Sequence, residues 1–365
     1  MFSETKNFLD SFLDMGMPGF DCLVYYKGKE VLRYFGGYSD TENKILVNGN
    51  EKYNIYSCSK PITCTAALQL YEKGIISLDD KLSDYIKEFE NMFVKCEDGT
   101  LIPVKNPITI KHLFTMTAGF NYDLNSPSLS LARKETKGRC PTVETVKYLA
   151  REPLCFEPGD RYMYSLCHDV LAAVVEVAST MAFEEYVKKN IFDVLGMSSS
   201  GYHVAPEHES EFAQQYTYDS NEKLMKIKGR LACGYRLGTQ YASGGAGMVS
   251  TVEDYMKFLE AMRVGDIILK SETINLMSSA HISEYQRRTF DLEPTNSYTY
   301  GLGVRTPRDR SKLTEFGWDG AAASYLSCDR EKGLCIFLAQ HVLNAPNFYT
   351  KNSIRSFVAK DLGIE

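Results

Sequence analysis

Residues 53–85 read YNIYSCSKPITCTAALQLYEKGIISLDDKLSDY. The opening EKYNIYS (51–57) is a short alternating run, which predicts a strand. A helical run follows, with Ile62, Ala66, Leu68, Leu70 and Tyr71 apolar and Gly74 at its end. At the junction stands Ser57-Cys58-Ser59-Lys60, an S-x-x-K motif. In a helix, residues i and i+3 share a face, so the Ser57 hydroxyl and the Lys60 amine come within reach of each other. The helix N-terminus adds partial positive charge, which stabilises an oxyanion developing beside the serine. A lysine held there and partly desolvated helps to draw off the hydroxyl proton. The motif occurs twice more, at Ser3 to Lys6 and Ser220 to Lys223, both in polar surroundings. Only Ser57 follows a strand-like run and opens an apolar helix.

Around this segment the composition is that of an ordinary globular protein. The chain has 365 residues, 44% hydrophobic and 24% charged, a balance that excludes disordered and fibrous classes. At about 100–200 residues per domain, this length fits two domains or one large fold. Lys and Arg number 41 against 47 Asp and Glu, a net charge of −6. The chain as a whole therefore lacks the basic footprint of a nucleic-acid binder. No apolar run reaches the roughly 18–20 residues of a membrane span. The opening MFSETKNFLD has no basic-then-apolar signal pattern, so a cytoplasmic protein is expected. Ten cysteines contain no C-x-x-C pair and read as reduced, small apolar residues. Six scattered histidines form no H-E-x-x-H, and no metal or cofactor is expected.

Toward the N-terminus, residues 3–14 predict an amphipathic helix with Phe8, Leu9, Phe12 and Leu13 on one face. CLVYYKG (22–28) and EVLRYFGGY (30–38) predict a hairpin. From 75 to about 235 the pattern is helices joined by polar loops: 109–120 closing at Gly119, 168–179, and 184–197 closing at Gly196. Beyond it come the glycine-rich turn SGGAGMVST (243–251), a helix at 252–263, strands at 298–306, 322–330 and 333–341, and a last helix at 351–363. Strands, then helices, then strands predict an α+β layer carrying a helical insertion.

Other nucleophile and phosphate motifs are missing. There is no P-loop and no G-x-S-x-G, and GGAGMV (244–249) and GLGVR (301–305) both fail G-x-G-x-x-G. Gly244, Gly245 and Gly247 read as a tight backbone approach. Tyr164 is one of 24 tyrosines, Trp318 is the lone tryptophan, and His168 and Asp169 read as a helix start rather than a catalytic pair. Singly, none of these positions points to chemistry.

Jointly they do. Residues 53–85 resemble the nucleophile segment of serine β-lactamases and penicillin-binding proteins. ITIKHLFTMTAGF (108–120), FEPGDRYMYSLCHDVLAAVVEV (156–177), SGGAGMVSTVEDYMKF (243–258) and FGWDGAAASYL (316–326) resemble their further elements, in order, through nearly the whole chain. The branch is similar to the class C β-lactamase-like group, particularly family VIII carboxylesterases. The resemblance implies Ser57 as the acylated nucleophile, Lys60 as its partner and Tyr164 as general base, its pKa lowered by Lys60. Trp318-Asp319-Gly320 takes the place of Lys-Thr-Gly, leaving the backbone N–H groups of Ser57 and Ala321 as the oxyanion hole. Glu315-Phe316-Gly317 is an alternative register for that element. Leu166 stands where β-lactamases usually have Asn, and Trp318 replaces a carboxylate-binding Lys.

The implied fold is α+β, of the β-lactamase/transpeptidase type. An antiparallel sheet with both terminal helices on one face comes from residues 1–60 and 240–365. A mostly helical region comes from 61–239, and the active site lies in the groove between them. The implied activity is a serine hydrolase acting through an acyl-enzyme, an esterase on small acyl esters. A β-lactamase or D-amino-acid peptidase is the alternative, and a non-enzymatic relative that binds ligands in the groove is a third reading. The expected partner is a small ester or lactam, with no nucleic acid or membrane; the sequence leaves the oligomeric state open.

Overall fold

The computed structural model describes residues 2–290, 297–346 and 348–364. Among them, eight strands form one antiparallel sheet in the order Tyr298–Tyr300, Arg305–Pro307, Phe316–Asp319, Tyr325–Asp329, Leu334–Ala339, Gly19–Tyr26, Lys29–Asp40 and Ile45–Leu46. The last long strand thus pairs with the first, with Val24 opposite Ile336. None of the described residues between Leu46 and Tyr298 joins this sheet.

The Leu334–Ala339 strand shows why its sequence is apolar without alternation. Leu334, Ile336 and Leu338 face one core, while Cys335, Phe337 and Ala339 face another. Side chains alternate across a strand, so a strand covered on both sides needs apolar residues at every position. The first core lies under the terminal helices Ser3–Asp14 and Ile354–Leu362. These two are joined by a Phe8–Phe357 ring stack at 4.5 Å and by Thr5, whose N–H and hydroxyl donate to Asp361 Oδ2 at 2.8 and 2.7 Å. The other face is covered by helix Val252–Val264, with the Tyr255 ring stacked on Phe337 at 4.3 Å. This antiparallel α+β arrangement agrees with the fold class expected from the sequence.

The helical part centres on helix Ser59–Glu72, in which every residue from Ser59 to Leu70 is buried. Helix Cys167–Ser179, also buried over most of its length, packs beside it. The expected helix over 109–120 covers only Ile110–Phe114. Met116 and Gly119 take positive φ (57° and 93°), and a Cβ on Gly119 would lie 2.5 Å from Phe156 O. The chain turns back there instead of continuing as helix. The expected strand 298–306 is two strands joined by a turn, because Gly303 (φ 87°) presses on the central helix; a Cβ there would lie 2.2 Å from Cys64 Sγ. The region read as mostly helical also holds two small hairpins, Phe93–Lys95 with Leu101–Pro103 and Tyr216–Tyr218 with Leu224–Lys226. Among the described residues no helix is long and apolar enough to cross a membrane.

Candidate active site

Tyr53–Asn54 pairs with Val249–Ser250 and delivers the chain to the motif. The expected helix start is refined here: Tyr56–Cys58 is a 3-10 turn, and the α-helix begins at Ser59. Tyr56 is buried with φ at 47°, a left-handed conformation costing an L-residue roughly 1–2 kcal/mol. The surroundings fix it. The Tyr56 hydroxyl donates to Gln215 Oε1, and its carbonyl accepts from Ser59 Oγ at 2.6 Å. Tyr255 OH donates to Cys58 O at 2.6 Å, and Met248 N–H donates to Ser59 Oγ at 3.0 Å. The turn around Ser57 is therefore clamped from both the sheet side and the helix side.

The structure brings Ser57, Lys60 and Tyr164 together. Ser57 Oγ accepts from Lys60 Nζ at 3.2 Å and from Tyr164 OH at 2.5 Å. Lys60 is fully buried, also donates to Gly245 O at 2.7 Å, and lies over the rings of Tyr164 and Tyr122 at 4.5 and 5.4 Å. Burial lowers its pKa to about 7, against the opposing charge of Asp169. The free amine is therefore populated near neutral pH. Burial drives the Tyr164 phenol the other way, upward, with its hydrogen-bonding contacts to Ser57 and Trp318 opposing. This corrects the expectation that Lys60 lowers the Tyr164 pKa: of the two, the lysine is the group that loses its proton first.

Tyr164 sits in the loop before helix Cys167–Ser179, whose backbone is pinned by Met163 N–H to Met116 O (2.9 Å) and Leu166 N–H to Asn121 O (3.1 Å). Its ring lies between Tyr122 (centroids 5.4 Å apart, planes at 22°) and Trp318 (5.9 Å, 23°). Trp318 lies in strand Phe316–Asp319, which pairs with Tyr325–Asp329, and the chain turns at Gly320, whose N–H donates to Ser324 O at 2.9 Å. A Cβ on Gly320 would lie 2.1 Å from Ser324 Oγ and 2.4 Å from Ile55 O. Only glycine lets this turn press against the chain two residues before Ser57. Ala321 then lines the same cavity as Ser57. In the alternative register, Glu315 is fully buried with its carboxylate on the Tyr298 and Ser327 hydroxyls, and it is not among the cavity-lining residues. Leu166 is buried in the core and does not line the cavity either.

The cavity has a volume of about 350 Å³, within the range of small-molecule sites. Its walls are mainly aromatic: Tyr122, Tyr164, Tyr235, Phe290, Trp318, Phe348 and Tyr349, with Leu124 and Asn352. Arg305 and Asp319 also reach it, paired at 3.0 Å, and the buried guanidinium lies 3.9 Å from Glu315 as well. Sequence reading missed Tyr122, Tyr235, Arg305 and the Phe348–Asn352 wall. Tyr122 lies two positions beyond the recognised 108–120 segment, and that proximity is its one local signal. Among the described residues no group of three or more His, Cys, Asp or Glu is arranged to hold a metal ion.

The family model for Beta-lactamase matches residues 6–355. The chain belongs to the Beta-lactamase family. Within it, esterase EstB of Burkholderia gladioli is 28% identical over 268 residues, covering 68% of this chain and 66% of EstB. An uncharacterized protein of Mycobacterium tuberculosis is 24% identical over 329 residues, covering 84% and 81%. Among solved structures of this fold, EstCE1, described as a hydrolase with promiscuous acyltransferase activity, superposes with a TM-score of 0.80 at 23% identity, covering 97% of each chain.

Proposed function

We propose that this Beta-lactamase family protein is a serine hydrolase that cleaves small, uncharged esters through an acyl-enzyme on Ser57. The observation that carries the reading is Ser57 Oγ held by both Lys60 Nζ (3.2 Å) and Tyr164 OH (2.5 Å) at the wall of an aromatic cavity. Ser57 Oγ attacks the ester carbonyl as its proton passes to the free amine of Lys60. The backbone N–H groups of Ser57 and Ala321 receive the oxyanion. Tyr164 gives its proton to the departing alcohol and recovers one from the Lys60 ammonium. A water then attacks the acyl group, its proton is taken by the same pair, and Ser57 is released with the acid. Lys60 serves as proton acceptor and Tyr164 as the relay, in keeping with the opposite directions of their pKa shifts.

The groove is shared between the two parts of the chain. Tyr122, Leu124, Tyr164 and Tyr235 come from residues 61–239, and the other lining residues from 1–60 and 240–365. We take this as the division between a helical and a sheet domain. EstB is named an esterase, which fits the reading. A β-lactam or D-peptide substrate brings a carboxylate that needs a free cation. Arg305 is the cation in the lining, and Asp319 and Glu315 neutralise it. A buried polar group left without a partner costs about 1–3 kcal/mol and a charged one, such as this carboxylate, more, and each 1.4 kcal/mol is about tenfold in rate. We expect kcat/KM for p-nitrophenyl butyrate to exceed that for nitrocefin by about 10²-fold or more. A nitrocefin value equal to or above the ester value would replace the esterase reading with the β-lactamase one.

A further inference from the structure

Asp169 lies in the first turn of helix Cys167–Ser179 and is 1% exposed. Its position explains the glycines of the 243–247 loop. A Cβ on Gly245 would lie 2.4 Å from Asp169 Oδ2 and 3.1 Å from Tyr122 OH, and one on Gly244 would lie 2.5 Å from His168 O. The loop therefore lies directly on the start of this helix. Tyr241 OH donates to Asp169 Oδ1 at 3.1 Å, while Asp169 Oδ2, facing Gly245, has no hydrogen-bond partner among the described residues. Burial raises the pKa of this carboxyl, with hydrogen bonding and the Lys60 charge opposing. On the other side of that peptide, Gly245 O accepts from Lys60 Nζ at 2.7 Å, and Thr63 Oγ1 ties Gly244 O at 2.7 Å. A continuous line runs from Asp169 through Gly245 to Lys60 and Ser57.

We propose that Asp169 is a positioning residue for Lys60: it anchors the loop whose Gly245 carbonyl receives the lysine, and its charge holds the ammonium that forms when Ser57 gives up its proton. The proposal rests on Ser57 and Lys60 acting as nucleophile and proton acceptor. The other titratable groups facing Lys60 from the packed elements carry no charge near neutral pH. Burial pushes the thiols of Cys58, Cys64 and Cys167 and the phenols of Tyr122 and Tyr164 up, and pushes the His168 imidazole down to about 3. Asp169 is the carboxylate whose charge acts on Lys60 among the described residues.

The sign of the effect follows. An anion beside an amine favours its protonated form, so removing the anion makes the amine give up its proton more easily. In the wild-type chain, kcat/KM for p-nitrophenyl butyrate is expected to rise with pH through about 7, as the Lys60 ammonium loses its proton. In Asp169→Asn that acidic limb moves down by about one pH unit, and the plateau falls about tenfold because the weaker base is the poorer acceptor. Labelling of Ser57 by a fluorophosphonate is followed over the same pH range as a readout independent of substrate. A limb in Asp169→Asn that coincides with the wild type, in a variant that melts cooperatively, overturns the role of Asp169 even if the plateau drops. If that variant does not fold, Asp169→Glu decides. It retains the charge, so its limb stays at the wild-type position, and a limb displaced downward overturns the proposal. Wild-type protein that hydrolyses the ester without labelling at Ser57 instead overturns the underlying reading, which separates the two failures.

Discussion

The decisive residues differ in how far a sequence reveals them. Ser57 and Lys60 are legible because one helical turn brings i and i+3 together, and that relation is local. Tyr164 is legible only through the words around it, since nothing in a Tyr-Ser-Leu triplet says which way the ring points. Tyr122, Tyr235, Arg305 and Asp169 were not legible. Their roles depend on contacts made only in the folded chain, such as Tyr122 stacked on Tyr164 and Asp169 facing Gly245. Two tyrosines of one loop test the residue-level account. Tyr164 OH bonds to Ser57 Oγ, whereas the buried Tyr162 ring packs edge-on against Phe290 and Tyr300. Tyr164→Phe is expected to lower kcat about 10²–10⁴-fold with little change in melting temperature. Tyr162→Phe is expected to stay within a few fold of the wild type. Equal losses in steady-state assays of the two variants would mean that the relay is assigned to the wrong ring.

Elements with strong local periodicity were read well, and those bent by a neighbour were not. Helices 3–14 and 252–263 carry their own apolar stripe and were found as Ser3–Asp14 and Val252–Val264. The 109–120 segment reads as helix to its glycine, yet the chain turns at Met116 and packs Gly119 against Phe156, and the helix ends at Phe114. The 298–306 segment is broken by Gly303 meeting Cys64. The resemblance puts Trp318-Asp319-Gly320 at the third element, and the reason that its last residue is glycine lies in the packing of the turn. Gly320→Ala drives a Cβ into Ser324 and the Ile55 carbonyl. Overpacking of this kind costs about 1–3 kcal/mol, and relief by moving the turn would carry Ala321 away from Ser57. The expected outcome is a lower melting temperature together with a fall in kcat larger than the rise in KM. Wild-type kcat in Gly320→Ala would show that this turn does not shape the oxyanion site.

At the scale of the whole molecule, the sheet closes by pairing its earliest and latest long strands, Gly19–Tyr26 and Leu334–Ala339. The strands-helices-strands order in the sequence pointed to this insertion. The strand order itself did not follow from it, because pairing across so long an interval leaves no local mark. The terminal helices seal the sheet face opposite helix Val252–Val264, and Thr5 and Asp361 join them through two hydrogen bonds to one carboxylate oxygen. Thr5→Ala and Asp361→Ala are each expected to cost about 1–2 kcal/mol in urea unfolding. The Thr5→Ala change leaves the N–H bond in place and falls at the lower end. Because both variants act on one contact, the double variant should lose less than the sum of the singles. Strict additivity would mean that the two helices are held together by packing, such as the Phe8–Phe357 stack, without a contribution from this pair.

The central claim, covalent catalysis through Ser57, is tested most directly by intact-mass spectrometry during turnover of p-nitrophenyl butyrate, with peptide mapping of the adduct. The account predicts one transient butyryl group per chain, located on the peptide carrying Ser57, accompanied by a burst of p-nitrophenol and abolished in a folded Ser57→Ala variant. An active preparation with no adduct, or with its adduct at Ser3, Ser220 or any other residue, would contradict it.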